Sequence, residues 1–254
     1  MAEPIARIDE LQPAPKRLLA NAVKARLFRM GLGAQYTNLW WMRRARVRSP
    51  WLNWNSENKA VFIHVPKNAG SSLYKTLHIA QPAETHCTAF GYRSSNRAAW
   101  DQAFTFAFAR NPWDRFVSAF HYLKHQPISA DDKAWSAQML GSFDTFEQFA
   151  GAMQDRSFCS TVFMWRHFAP QWYFLCDLRG DIIVDHIARF ENLPREVENL
   201  EQRLRVDATV QRVNAVPRKH YSAYYDQRLQ DIVASAYARD IALFGYTFET
   251  APAG

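Results

Sequence analysis

Residues 59–73 read KAVFIHVPKNAGSSL and decide the fold. The apolar, β-branched run that starts at residue 60 ends at Pro66, which is typical of a buried strand. A glycine and two serines follow, and serines favour the start of a helix, which we predict over residues 71–79. A strand that passes through a tight turn into a helix is the first unit of a parallel α/β sheet.

The loop that joins this strand to the helix has the composition of an anion site. Helix N-termini expose unpaired backbone N–H groups, and Gly70 allows the backbone to approach an anion closely. Lys67 adds a full positive charge, and Ser71 and Ser72 add hydroxyl donors. The loop is not a Walker A motif, because its lysine precedes the glycine. It predicts a phosphate or sulfate site, although a plain turn with a surface lysine remains an alternative.

A second strand and helix follow about forty residues later, where residues 103–109 read AFTFAFA. Arg110 stands directly after this predicted strand, and ligands of open α/β sheets gather at the carboxyl ends of strands. An arginine at this position can hold a phosphate with two N–H groups. A helix begins near Pro112 and carries Ser118 two turns along. We expect Asp114 and Arg115 to form local ion pairs at the helix end, without Arg110.

The remaining elements complete an α/β pattern. Residues 182–187 predict a third strand, and residues 194–205 and 226–243 predict amphipathic helices. Asp144 and Glu147 have the spacing of a capping box for a helix over residues 145–153. We therefore predict an α/β protein with a P-loop-like three-layer fold, in which helices flank a central, mostly parallel sheet.

The charge of the chain is concentrated at its N-terminus. The formal net charge is +7, and residues 1–50 account for all of it. This segment has ten Lys and Arg residues and three acidic residues, whereas the charges of residues 51–254 balance. We divide the chain into a basic amphipathic N-terminal arm, residues 1–50, and an α/β domain, residues 51–254. The balanced domain excludes a nucleic-acid binder that is basic throughout.

The arm can be interpreted in three ways. Residues 15–30 form an amphipathic pattern, and the aromatic and basic run LWWMRRARVRSPWLNW follows. Both could pack on the domain, contact an anionic membrane surface through residues 15–50, or bind RNA. We carry the first two forward and predict no nucleic-acid partner. Without an apolar stretch of membrane-spanning length or a signal-peptide pattern, we expect a cytoplasmic protein, with a peripheral position on the inner face of a membrane as the alternative.

Two motifs together suggest a family. PKNAGSSL at residues 66–73, followed by RNPWDRFVS at residues 110–118, resembles the signature of sulfotransferases that use 3′-phosphoadenosine 5′-phosphosulfate (PAPS). The pattern is most similar to the carbohydrate-type branch, which includes heparan sulfate 2-O-sulfotransferases and bacterial relatives. The similarity continues through HFAPQ at residues 167–171 and ARFENL at residues 188–193, and covers roughly residues 59–247.

The resemblance implies a reaction and a set of site residues. PAPS would donate a sulfuryl group, by in-line displacement and without a metal, to a hydroxyl of a carbohydrate or glycolipid. The family's 5′-phosphosulfate loop corresponds to Lys67, Asn68, Ala69, Gly70, Ser71 and Ser72. Its 3′-phosphate ligands correspond to Arg110 and Ser118. Lys67 would be catalytic, and the position of His86 makes it the candidate base. For the acceptor we name His121, His167 and Trp165.

Other interpretations remain open. A P-loop kinase would need a Mg²⁺-binding Ser or Thr directly after its lysine, but Asn68 follows Lys67. A catalytically silent nucleotide-binding scaffold would retain the same motifs. We also expect His64 to be buried and hydrogen-bonded. The polar residues Asn214, Arg218 and Lys219 are expected to cover the nucleotide or contact the acceptor.

Overall fold

The fold is built on one parallel sheet of three strands. The computed structural model describes residues 15–51, 59–82, 85–206 and 219–251, with side chains from residue 22 onward. In this part the strands are β1 (Ala60–Ile63), β2 (Phe104–Ala109) and β3 (His186–Arg189), in the order β1-β2-β3. Phe62 pairs with Phe106, and Phe106 pairs with His186. The predicted α/β class with a parallel sheet is confirmed.

Helices make up most of the remaining described chain, and several of them are short. Their bounds are α1 (Pro15–Arg29), α2 (Gly33–Val47), α3 (Gly70–Thr76), α4 (Ala89–Ser95), α5 (Arg97–Gln102), α6 (Pro112–His125), α7 (Ala130–Leu140), α8 (Phe146–Ala152), α9 (Arg156–Phe163), α10 (Trp172–Leu175), α11 (Leu193–Leu204), α12 (Gln227–Ala236) and α13 (Ala238–Phe244). Single 3₁₀ turns lie at Phe190–Asn192 and Tyr221–Tyr224.

Alternating strand residues bury both faces of the sheet, which makes three layers. Phe62 and Phe106 pack against side chains of α3 and α11, including Leu73 and Leu200. On the opposite face, the cluster that contains Ile63 includes side chains of α2, α4 and α10. Because both faces are covered, the strands are continuous apolar runs, as expected for a parallel sheet.

A second core lies beside the sheet, where α6, α7, α8 and α12 pack together. Its centre is aromatic, with Phe116, Phe149 and Phe168 within 5.6 Å of one another by ring centroid. The hydroxyl of buried Tyr237 donates to the carbonyl of Phe168. This core fixes α6, the helix that follows Arg110.

Several predicted boundaries are wrong. The third strand begins at His186, because Ile182 instead forms an antiparallel bridge with Cys176. The capping box is made by Thr145 and Gln148, one residue beyond the predicted pair. The predicted helix over residues 226–243 is two helices that meet at Tyr237.

The first two described helices pack on the sheet layer. Phe28 at the end of α1, and Trp41 and Ala45 of α2, belong to the same buried cluster as Val61 and Ile63. The Asn38 side chain, fully buried, donates to the carbonyl of Cys176. Residues 28–51 therefore contribute to the core of the domain. Among the described helices, none is long and apolar enough to cross a bilayer.

Candidate active site

A large cleft opens where the three strands end. Its volume is about 1620 Å³, and its walls include residues that follow each strand, among them Lys67 after β1, Arg110 after β2 and Glu191 after β3. The carboxyl edge of a parallel sheet is where such folds bind ligands. Residues of both sequence motifs, 66–73 and 110–118, therefore line the same cleft.

The loop after β1 is held in an unusual backbone conformation. Lys67 and Ala69 have positive φ angles of 72° and 61°, although neither is glycine. Alternation of this kind turns successive backbone N–H groups toward one side, as in anion-binding nests. Ser71 is exposed, Ser72 is half-buried, and both line the cleft. The helix that follows, α3, has only seven residues, so the dipole at its N-terminus is small.

Gly70 is required for a reason that the sequence did not show. A Cβ atom at this position would overlap the imidazole of His64, which packs directly on the glycine. His64 is buried, as predicted, but its Nδ1 has no hydrogen-bond partner among the described residues. Burial lowers the pKa of His64 to about 3, so the ring is neutral and acts as a wall of the loop.

The Asn68 side chain holds the loop through buried hydrogen bonds and is not among the side chains that line the cleft. Its side chain is buried and donates to the carbonyl of Phe108 and to Oε1 of Gln171. The same Oε1 accepts the backbone N–H of Arg110 at 3.0 Å, and Nε2 of Gln171 donates to the Arg110 carbonyl at 2.8 Å. Gln171 thus ties the two loops together.

Two other buried charges support this junction. Asp240 accepts the backbone N–H groups of Gln171 and Trp172 at 2.8 and 2.9 Å, and burial raises its pKa to about 6. Arg115 is almost fully buried and donates from Nε to the carbonyl of Pro66 at 3.0 Å. Neither Gln171 nor Asp240 was predicted as a site residue, and Arg115 donates to a backbone carbonyl instead of forming the local ion pair that was predicted for it.

Arg110 reaches across to the loop after β1. Its Nη1 donates to the carbonyl of Lys67 at 2.8 Å and to Oγ of Ser118 at 3.3 Å, and its guanidinium lies 4.1 Å from the ring centroid of Phe190. Its Nε forms an ion pair with Asp114 at 2.7 Å. The expectation that Asp114 would pair without Arg110 is therefore wrong. The two residues assigned to a 3′-phosphate, Arg110 and Ser118, do lie together.

Three histidines stand close together at the other end of the cleft. The rings of His64 and His86 are 4.5 Å apart by centroid, and His86 and His167 are 6.5 Å apart. Nδ1 of His86 is 3.4 Å from the carbonyl oxygen of His64. Burial, then the neighbouring His64, His167 and Arg166, lower the pKa of His86 well below its usual value. The ring is therefore neutral near pH 7 and can accept a proton.

His167 is oriented by a carboxylate that the sequence did not single out. Its Nε2 lies 3.1 Å from Oδ1 of buried Asp132, which also accepts from Arg166 at 2.7 Å. Burial acts to raise the pKa of Asp132, but hydrogen bonds with His167 and Ser129 and the charge of Arg166 outweigh it and lower the pKa. Burial of His167 lowers its pKa to about 4 despite the carboxylate.

Tyr122 connects this group to the lysine. Its hydroxyl donates to Oδ2 of Asp132 at 2.9 Å, and Nζ of Lys67 lies 4.0 Å from the centroid of its ring. A cation over an aromatic face is attracted by the ring quadrupole. Lys67 therefore lies between Arg110 and the histidines.

The other candidates fall in different places. His121 lines the cleft, 5.0 Å from Tyr224 by ring centroid. Trp165 is not among the residues that line the cleft, and its ring stacks on Trp135 at a centroid distance of 5.5 Å. Lys219 lines the cleft, whereas Asn214 and Arg218 lie outside the described residues. In the described part of the chain, no group of His, Cys, Asp or Glu could hold a metal ion.

Comparison with known proteins agrees with this geometry. The family model described as "Sulfotransferase family" matches residues 52–247, which include every loop of the cleft described above. No curated protein and no solved structure gives a significant match. The match covers most of the chain and spans the sheet, the cleft and both motifs. The chain therefore belongs to the sulfotransferase family.

Proposed function

We propose that this protein transfers a sulfuryl group from PAPS to a hydroxyl of a carbohydrate or glycolipid. The observation that carries the proposal is the convergence of two cations from successive strand ends. Arg110 donates to the carbonyl of Lys67, and both residues line one cleft from loops that Gln171 also joins. Two fixed cations suit a donor that carries anionic groups at both ends of a nucleoside.

The residues present fit such a donor. Arg110 and Ser118, 3.3 Å apart, would bind the 3′-phosphate, and Phe190 provides an apolar ring beside the guanidinium. The backbone of residues 67–72, with Ser71 and Ser72, would bind the 5′-phosphosulfate. Lys67 then stands at the transferring end, next to the histidines.

The residues of the chain would have two chemical tasks, which are to stabilise developing negative charge and to accept one proton. PAPS supplies an activated S–O bond between the sulfuryl group and the 5′-phosphate. This bond breaks and leaves its electron pair on the phosphate oxygen, while a new bond forms between sulfur and the acceptor oxygen. Lys67 stabilises the negative charge that builds on the leaving oxygen. His86 accepts the proton that the acceptor hydroxyl loses, and later releases it to water.

We expect His86→Ala to lower turnover about a hundredfold, which is the lower end of general-base contributions because the ring is a weak base. The affinity for the desulfated nucleotide should stay near wild type. His121→Ala and His167→Ala, measured in parallel, are the matched controls, since both rings also line the cleft. A larger loss of turnover in either of them would move the base to that residue.

We expect Tyr122→Leu to lower kcat about tenfold, because it removes the ring that holds Lys67 Nζ at 4.0 Å. Tyr122→Phe keeps the ring and loses only the hydrogen bond to Asp132, so its kcat should fall about threefold at most. Steady-state kinetics at saturating PAPS separate kcat from KM. Equal losses in the two variants would show that the ring–lysine contact does not matter.

An acceptor with several hydroxyls suits the histidine end of the cleft. Rings of Tyr122, His86 and His167 stand there with the polar groups of Asp132 and Arg166. Aromatic faces beside hydrogen-bonding groups are typical of sugar sites. A carbohydrate or glycolipid acceptor, a cytoplasmic location and a peripheral position on a membrane are parts of this proposal.

One experiment tests the proposal against its rivals. The purified protein is incubated with ³⁵S-labelled PAPS and fractionated host extract, and the label is followed into acceptor fractions. Transfer to a glycan or glycolipid fraction is the expected result. A phosphate moved from ATP instead would support a kinase, although the Asn68 side chain is already engaged where that mechanism needs a metal ligand. Tight nucleotide binding with no transfer to any fraction would support a silent scaffold.

A further inference from the structure

The outward face of α2 differs from the rest of the described surface. In that part of the chain, nine large apolar side chains are exposed, and six of them lie between residues 23 and 47: Val23, Met30, Leu32, Leu39, Trp40 and Val47. Isolated exposed apolar residues are normal, but a group of them marks an interaction surface.

The helix has two distinct sides. Ala34, Trp41 and Ala45 are buried against the domain. A helical period places five exposed residues together on the opposite side, within about a third of a turn: Leu39, Trp40, Arg43, Arg46 and Val47. Val47 is 84% exposed and Trp40 is 43% exposed, so these side chains are not held by the core. We call these five residues the α2 outer face.

The charges of the chain segment that contains this face have one sign. Between Glu10 and Glu57 the chain has no acidic residue, while Arg26, Arg29 and Arg48 accompany the two arginines of the face. The Arg44 guanidinium lies 5.2 Å from the ring centroid of Trp40. Tryptophan and arginine beside aliphatic side chains are the composition of surfaces that lie in the headgroup region of anionic bilayers.

We propose that the α2 outer face docks the protein on an anionic membrane surface. Leu39, Trp40 and Val47 would enter the headgroup boundary, and the arginines would pair with lipid phosphates. The other side of α2 packs on α4 and α10, the helices that follow His86 and His167 in the chain. The docking surface thus lies on a helix that packs against the helices following these two histidines.

The test is sedimentation of the full chain with vesicles of phosphatidylcholine alone or with 30% phosphatidylglycerol. Point substitutions are needed, because residues 28–51 contribute to the core and their deletion would unfold the domain. The protein should bind only the anionic vesicles. Arg43→Gln with Arg46→Gln should weaken binding about 25-fold, at about fivefold for each arginine. Leu39→Ser with Val47→Ser should also weaken it several-fold.

Matched controls separate docking from net charge. Arg195→Gln with Arg228→Gln removes two exposed arginines on α11 and α12. Ile182→Ser removes an apolar side chain that is about as exposed as Leu39. These variants should bind like the wild type. Equal weakening by the control arginines, no effect of the Leu39 and Val47 pair, or equal binding to neutral vesicles would overturn the proposal. So would light scattering that shows a dimer which the Leu39 and Val47 pair converts to monomer.

Discussion

Replacing Lys67 by alanine should lower sulfuryl transfer about a thousandfold. Nζ of Lys67 is positioned over Tyr122, between Arg110 and the histidines. Under the proposed function, the leaving oxygen of the donor would gain charge at this position. A single preorganised group that stabilises such charge is worth about 10²–10³ in rate, and cationic groups in phosphoryl transfer are worth more. The variant should still bind the desulfated nucleotide, because Arg110 and the loop backbone remain.

Lys75→Ala is the matched control. Lys75 is an exposed lysine of α3 that lines the same cleft, so its removal causes the same change in net charge near the donor. We expect its transfer rate to stay within a few-fold of wild type. Rates are measured with ³⁵S-labelled PAPS at saturation, and nucleotide binding by calorimetry. Substantial activity in Lys67→Ala, or an equal loss in Lys75→Ala, would remove the assigned role of Lys67.

The parts of the site that lie in sequence beside a strand end could be predicted from the sequence. A buried strand is a run of apolar residues, so the first polar residues after it mark the carboxyl edge of the sheet. Lys67 and Arg110 were found in this way, and the structure places both on one cleft. The start of the third strand was predicted wrongly because residues 182–184 are apolar and β-branched. Ile182 instead pairs with Cys176, and β3 begins only at His186.

The residues that join the loops could not be found in this way. Gln171 and Asp240 act through contacts with segments that are distant in sequence, and a local pattern does not contain such contacts. Asp132 follows a helix N-cap, where an acidic residue has an ordinary explanation. The requirement for Gly70 depends on the position of the His64 ring and therefore on tertiary packing.

The same long-range contacts give the cleft its rigidity. Gln171 receives hydrogen bonds from both loops, and its own backbone is held by Asp240. Buried polar groups in a low-dielectric interior are costly when they lose a partner, so this junction favours one arrangement of Lys67 and Arg110. The spacing between the two loops that contain these cations is thus determined by the fold before a ligand binds.

Replacing Arg110 by alanine should weaken binding of 3′-phosphoadenosine 5′-phosphate about a thousandfold. Two charge-assisted hydrogen bonds to the 3′-phosphate, each worth about 2 kcal/mol, give an effect of this size. The variant also removes the Arg110 guanidinium that lies 2.7 Å from Asp114, so this carboxylate would repel the phosphate more strongly. Ser118→Ala should cost only a few-fold, because a neutral hydroxyl contributes less.

The specific test is a cycle that removes either the arginine or the phosphate. Calorimetry with AMP, which lacks the 3′-phosphate, should show weak binding to the wild type and nearly the same binding to Arg110→Ala. The preference for the bisphosphate should therefore disappear in the variant rather than merely shrink. Because Arg110 also donates to the carbonyl of Lys67, thermal unfolding of the variant must show a folded protein. If a folded variant keeps its preference for the bisphosphate, the 3′-phosphate lies elsewhere in the cleft.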